Sequence, residues 1–263
     1  METTITEQHP AQNPVQGYAR GLYVFISLVL LSLVEFGVAI IFQSVPVLLA
    51  IAVAKAGVIL YFYMHISKLA TPDEGADHHL YGYRSNTNRI GLWLFLLSDS
   101  FVFAALFVTR FNLLGLTRPH LNQLLGLAIS TVLLISSFFA NRGEVAASVG
   151  DRKTFLNSLL VTIVLGTVFL LGVVGIEWPS AIREGLTPSS GAAGAVFFMM
   201  TGMHALHVLT GVIFLWIIHR NGRRGLYTSQ KHYGVEAAAV YWHFVDVVWI
   251  FFYPALYLIG RAL

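Results

Sequence analysis

A glutamate, a histidine and an aspartate, Glu236, His243 and Asp246, stand inside an apolar stretch reading EAAAVYWHFVDVVW from Glu236 to Trp249. A second stretch, Thr201 to Gly211 (TGMHALHVLTG), carries His204 and His207, and a third, Gly91 to Phe107, carries Asp99. Hydrocarbon gives an ionised side chain no water, at about 2.5 to 3.5 kcal/mol near mid-depth, so such groups need a partner or a use. The chemistry open to carboxylates and imidazoles in such a place is hydrogen bonding and proton exchange. His204 and His207, at i and i+3, are also compatible with one metal ion, and His207 with His243 could clamp a haem between helices. The chain lacks a paired-histidine pattern repeated on two helices, so histidines hydrogen-bonded in helix interfaces are the favoured expectation, and no metal site is assigned.

Seven apolar runs must position these groups: Gly21 to Phe42, Val45 to Ile66, Ile90 to Val108, Leu121 to Ala140, Phe155 to Ile176, Ala192 to Ile218 and Val235 to Ile259. Each meets the roughly 20 residues that cross about 30 Å of hydrocarbon at 1.5 Å per residue. The period-two alternation of barrel strands is missing, so helices are the way to satisfy the backbone in lipid. With 56% hydrophobic and 11% charged residues, the chain of 263 residues is expected to be an all-α polytopic membrane protein. The lack of cysteine excludes disulfides, thiolate-held zinc or iron-sulfur clusters and covalently attached haem. A net charge of +3 arises from basic residues scattered between apolar runs rather than in one stripe, which argues against a nucleic-acid partner.

If the N-terminus lies inside, the inner segments hold eleven Lys and Arg residues and the outer ones four, Arg110, Arg118, Arg183 and Arg261. That excess predicts N-terminus in and C-terminus out. In this frame Asp99, His204, His243 and Asp246 all fall near mid-depth, with His207 one turn nearer the inner face. Spans three, six and seven are therefore expected to share one polar layer in which these groups satisfy one another. Glu236 lies near an inner basic loop containing Arg223, Arg224, Lys231 and His232, a composition suited to phospholipid head groups.

Residues 1–20 read as a mobile polar tail without the charge pattern of a secretory signal, and the first apolar run is too long for a signal core. The polar stretch 69–89, with Thr71, Pro72, Asp73, Glu74 and Gly75, reads as a linker between a two-helix hairpin (21–68) and a five-helix bundle (90–263). Its His78 and His79 are expected to face solvent. In the hairpin, Glu35 precedes Ser44 by nine residues and Lys55 follows it by eleven. Antiparallel helices joined by so short a turn bring the two to within about 3 Å in depth, so an intramembrane ion pair is expected. Mutual neutralisation would account for both charges as structure alone.

Taken together, the Ser98-Asp99 motif, Glu177, the two-histidine run and the signature Tyr241-Trp242-His243-Phe244-Val245-Asp246 strongly resemble subunit III of the haem-copper respiratory oxidases, over about Asn88 to Gly260. In that family the helix corresponding to 91–107 carries a carbodiimide-reactive carboxylate, often Glu, beside a lipid cleft; here the position holds Asp99, one methylene shorter. Ala54-Lys55-Ala56 and Tyr61-Phe62-Tyr63-Met64-His65, with Glu35, resemble the small subunit IV of bacterial oxidases, which implies a hairpin fused ahead of subunit III. The other reading makes these helices the first two of a seven-helix subunit III.

The resemblance implies an accessory subunit, without a redox centre of its own, of a proton-pumping cytochrome c or quinol oxidase in the aerobic electron transport chain of a bacterial cytoplasmic membrane. Haem and copper would lie in partner subunits, subunit I in direct contact and subunit II in the same complex. The chain would hold phospholipid through Arg223, Arg224, Lys231, His232 and Glu236, and support proton uptake through Asp99, His204, His207, His243 and Asp246. Glu35 and Lys55 would be structural. Other readings are an accessory subunit of a nitric oxide reductase, a proton-coupled transporter, or a haem b protein. Transporter-like internal repeats or inverted symmetry are not evident.

Overall fold

The computed structural model describes residues 14–42, 44–65 and 81–262. Helix α1 (Pro14–Ile41) turns at Ser44 into α2 (Val45–Phe62), and α3 (Tyr81–Leu114), α4 (Gln123–Ser148) and α5 (Arg152–Leu170) follow. A π-helical segment, Leu171–Glu177, carries α5 into the short α6 (Trp178–Arg183). Helices α7 (Ala192–Arg223) and α8 (Tyr233–Tyr253) complete the set, α8 ending in a second π-helical segment, Pro254–Leu258. Among the described residues seven helices, counting α5 and α6 with their π-helical link as one, are long and apolar enough to cross a membrane, which makes this an all-α membrane protein.

Helix ends follow local chemistry. The Asn122 side chain accepts the Leu125 N–H and the Asp151 side chain accepts the Thr154 N–H, each at 3.0 Å, supplying donors at the starts of α4 and α5 with partners. Gly150, at φ 79°, makes the left-handed turn just before Asp151, which brings α4 and α5 back to back. The helices outrun the apolar runs. Residues 14–20, expected in a mobile tail, belong to α1, with Tyr18 packed on the core and Gly17 close to Val145. Residues 81–89, expected in the linker, are the first turns of α3. Hydropathy marks where a helix meets hydrocarbon, whereas intrahelical hydrogen bonds continue into the polar interface. The remainder of the expected tail, and the linker up to 80 with His78 and His79, lie outside the described residues.

Helix α8 is the central element, buried along almost its whole length, whereas most of α3 is exposed or half-buried. It is packed by α2, α3, α4 and α7, while α1 lies on α2 and α4, and α5 on α4 and α7. Leu28 of α1 and Leu48 and Ile59 of α2 join the same buried cluster as the bundle residues Leu133, Leu159, Val208 and Trp242. The close approach around α8 depends on absent side chains. Gly166 of α5 and Gly211 of α7 both abut the Trp242 indole, and a Cβ at Gly211 would sit 2.9 Å from its ring. The indole N–H donates to Ser136 Oγ at 3.0 Å.

At the other end of α8 the fully buried Arg110 of α3 donates to the carbonyls of Ala255, Gly115, Thr117 and Ile259 over 2.6–2.9 Å. One guanidinium thereby satisfies carbonyls freed by the π-helical ending and by the parallel pairing of β1 (Thr117–Arg118) with β2 (Arg261–Ala262). Tyr257 in that ending donates its hydroxyl to Glu177, linking it to the far end of the fifth span.

Candidate functional site

Asp99 and His207 meet. The Asp99 Oδ2 of α3 lies 3.3 Å from His207 Nε2 of α7, with both side chains partly exposed on the outer face of the bundle. His207 Nδ1 is 2.8 Å from the Met203 carbonyl, which only accepts, so Nδ1 carries a hydrogen and donates. The Asp99 Oδ2 is enclosed and makes no hydrogen bond among the described residues, so the contact is a close approach of a carboxyl oxygen to a ring nitrogen, the two groups whose chemistry is proton exchange. Phe103 packs against the imidazole edge at 4.7 Å, and the nearby Tyr241 hydroxyl bonds Thr210 at 2.8 Å, tying α8 to the same stretch of α7.

The remaining members of the expected layer go elsewhere. His204 points into the bundle, stacked on Trp249 at 4.8 Å and met edge-on by Phe169 at 5.6 Å, and neither ring nitrogen has a hydrogen-bond partner among the described residues. His243 is wholly buried on a third face. Its Nδ1 lies 2.7 Å from Ser137 Oγ of α4 and 3.8 Å from Asp246 Oδ2, and the Tyr63 ring covers it at 4.8 Å. The single polar plane is thus resolved into an Asp99–His207 pair, a Ser137–His243–Asp246 group and an isolated His204. The reason is azimuthal: residues three apart on a helix at 100° per residue differ by about 60° in direction, enough to send His204 and His207 to different neighbours.

Glu35 and Lys55 do pair, at 2.5 Å, with side chains only 0% and 4% exposed. Arg89 of α3 binds Glu236 through two bonds, Nε to Oε1 at 3.0 Å and Nη2 to Oε2 at 2.8 Å. Of the loop residues, Arg223, Arg224 and Lys231 are exposed and His232 is half-buried. His65, just after α2 at φ 49°, lies 3.7 Å from Glu144 of α4.

Three contributors were missed by the sequence reading: Arg89, Ser137 and Arg110. Arg89 had a usable signal, because it precedes Asp99 by the ten residues that separate Glu236 from Asp246, and α3 and α8 run in the same direction. Ser137 offered none beyond being a hydroxyl in an apolar helix. Among the described residues no three His, Asp or Glu side chains converge to hold a metal ion, and His204 is enclosed by aromatic rings rather than facing a second histidine.

The family profile described as cytochrome c oxidase subunit III matches residues 18–261, a stretch that includes α1 and α2. Cytochrome c oxidase subunit 3 of Thermostichus vulcanus is 38% identical over 183 residues, covering 65% of this chain and 87% of that protein. Cytochrome c oxidase subunit 3 of Felis catus is 36% identical over 182 residues, covering 64% of this chain and 68% of that protein.

Proposed function

The chain belongs to the cytochrome c oxidase subunit III family, and on that footing we propose that it is a non-catalytic subunit of a proton-pumping terminal oxidase in a bacterial cytoplasmic membrane. Haem and copper reside in the partner subunits, which supply oxygen reduction and electron transfer. This chain contacts subunit I, holds phospholipid and supports proton uptake. The observation that carries the reading is the Asp99–His207 approach at 3.3 Å, a carboxyl beside an imidazole with both side chains partly exposed at the surface of the bundle. Its part is to take up and return a proton beside the catalytic subunit, so that proton supply keeps pace with turnover.

Lipid retention falls to the exposed cations Arg223, Arg224 and Lys231 at the inner end of α7, where anionic head groups are attracted. Arg89–Glu236, which ties α3 to α8 close by, serves as a brace. The family match beginning at residue 18 supports treating the α1–α2 hairpin, like its ion pair, as part of the same unit rather than as an appendage. Orientation follows the basic residues, with the N-terminus inside and the C-terminus outside.

The test is Asp99→Asn in the assembled oxidase. It keeps the shape and removes the proton exchange, so the initial rate should hold while the active lifetime during turnover shortens. An unchanged lifetime, or an immediate loss of rate with haem content intact, defeats the reading.

A further inference from the structure

The Asp99–His207 approach joins two helices, and α3 alone does not fix its geometry. Most of α3 is exposed or half-buried, and Asp99 Oδ2 makes no hydrogen bond among the described residues. The imidazole is held by its 2.8 Å contact with the Met203 carbonyl, four residues back on α7, and by Phe103 of α3 packed against it. The turn of α7 that carries the ring is held from α8.

Thr210 Oγ1 donates to the His207 carbonyl at 2.9 Å, which commits its only hydrogen, so the Tyr241 hydroxyl donates to Thr210 at 2.8 Å. The same phenol lies 3.4 Å from the His207 carbonyl. Two hydroxyls thus converge on the backbone of the residue whose ring faces Asp99. Gly211 leaves room for this, since a Cβ there would already touch the Tyr241 ring at 3.4 Å. The other neighbour of that ring is Phe95 of α3, stacked at 6.4 Å and four residues before Asp99, on the same helical face. Tyr241 therefore touches both helices of the pair from α8, the most enclosed helix of the bundle.

We propose that Tyr241 is a positioning residue for the Asp99–His207 pair, acting through Thr210. Its hydroxyl pins the His207–Thr210 turn of α7 to α8 and so sets the direction in which the imidazole meets the carboxyl. The use of that geometry in proton uptake rests on the function proposed above, whereas the geometry itself does not. A phenylalanine at 241 would keep the packing on Gly211 and Phe95 and lose only the bond, which separates positioning from filling of space.

Diethyl pyrocarbonate acylates a neutral imidazole nitrogen, and counting its adducts by mass spectrometry reads the placement of His207 in the purified, assembled complex. In the native chain the Met203 carbonyl stands at one nitrogen and Asp99 at the other. Tyr241→Phe should raise His207 labelling about fivefold, the factor that one lost hydrogen bond makes in an equilibrium. The pH profile of that labelling should move toward the profile of Asp99→Asn. Thr210→Val should act alike, and Thr210→Ser, which keeps the hydroxyl, should stay native. His204, three residues earlier and sealed against Trp249 and Phe169, should remain unlabelled throughout. Unchanged His207 labelling in Tyr241→Phe or in Thr210→Val overturns the proposal, as does a rise at His204 together with His207, which marks general loosening of α7. Should Tyr241→Phe fail to assemble, the contrast between Thr210→Val and Thr210→Ser decides the matter. Active lifetime is a separate readout: if Asp99→Asn leaves it unchanged, the proton-uptake reading fails while the positioning of His207 stands.

Discussion

Removing Lys55 alone should do far more harm than removing the whole ion pair. Glu35 and Lys55 are 2.5 Å apart and almost wholly enclosed, so bulk water screens neither charge. At an effective dielectric constant of about 20 their attraction is of order 6 kcal/mol, and the cost of withdrawing two ions from water is several kcal/mol each. The two nearly cancel. Lys55→Met leaves Glu35 buried beside an apolar side chain and should cost about 3–5 kcal/mol, whereas Glu35→Leu with Lys55→Met deletes both desolvation costs and should lie near neutral. Thermal unfolding of the purified complex, followed by loss of the chain from the assembly, measures both variants and hence their coupling. A double variant as unstable as Lys55→Met, or an unchanged melting temperature for Lys55→Met, would refute the reasoning.

Gly211→Ala places a methyl group 2.9 Å from the Trp242 ring and should destabilise by about 1–3 kcal/mol, and Trp242→Phe combined with it should recover part of that loss in the same melting assay. Arg110→Met strands two buried and two part-buried carbonyls and should lower stability by about 2–4 kcal/mol, with proteolysis first detected at the Pro254–Leu258 ending; Arg110→Lys, with three donors, should recover only part. Asp151 caps α5 at an exposed turn, and hydrogen bonds from the Thr154 side chain and N–H hold its carboxyl below the usual carboxylate range. Its stabilisation is therefore full above about pH 3.9 and is lost as the pH falls through that lowered value, so the roughly 1 kcal/mol penalty of Asp151→Ala near neutrality should vanish in strong acid, as read from melting curves at several pH values.

Much of this protein is written in local pattern. Seven apolar runs of bilayer length require seven helices, because nothing else satisfies a backbone in hydrocarbon on so simple a pattern. Depth is also legible, since each residue advances a helix by a constant rise; counting from the turn at Ser44 was enough to match Glu35 with Lys55. Rotation about the helix axis is not legible in the same way. It depends on which side chains of neighbouring helices interlock, and those neighbours come from distant parts of the chain. His204 and His207 illustrate the difference: less than a turn apart on one helix, one is sealed among Phe169 and Trp249 while the other reaches Asp99. Likewise Glu236 was within reach of a basic loop by sequence, yet the packing of α3 on α8 delivered Arg89 first. Composition and rise per residue set the number of spans and the height of each polar group, while the partners of those groups were decided by glycine-allowed contacts around Trp242 and α8, because azimuth is a property of packing and not of any one helix.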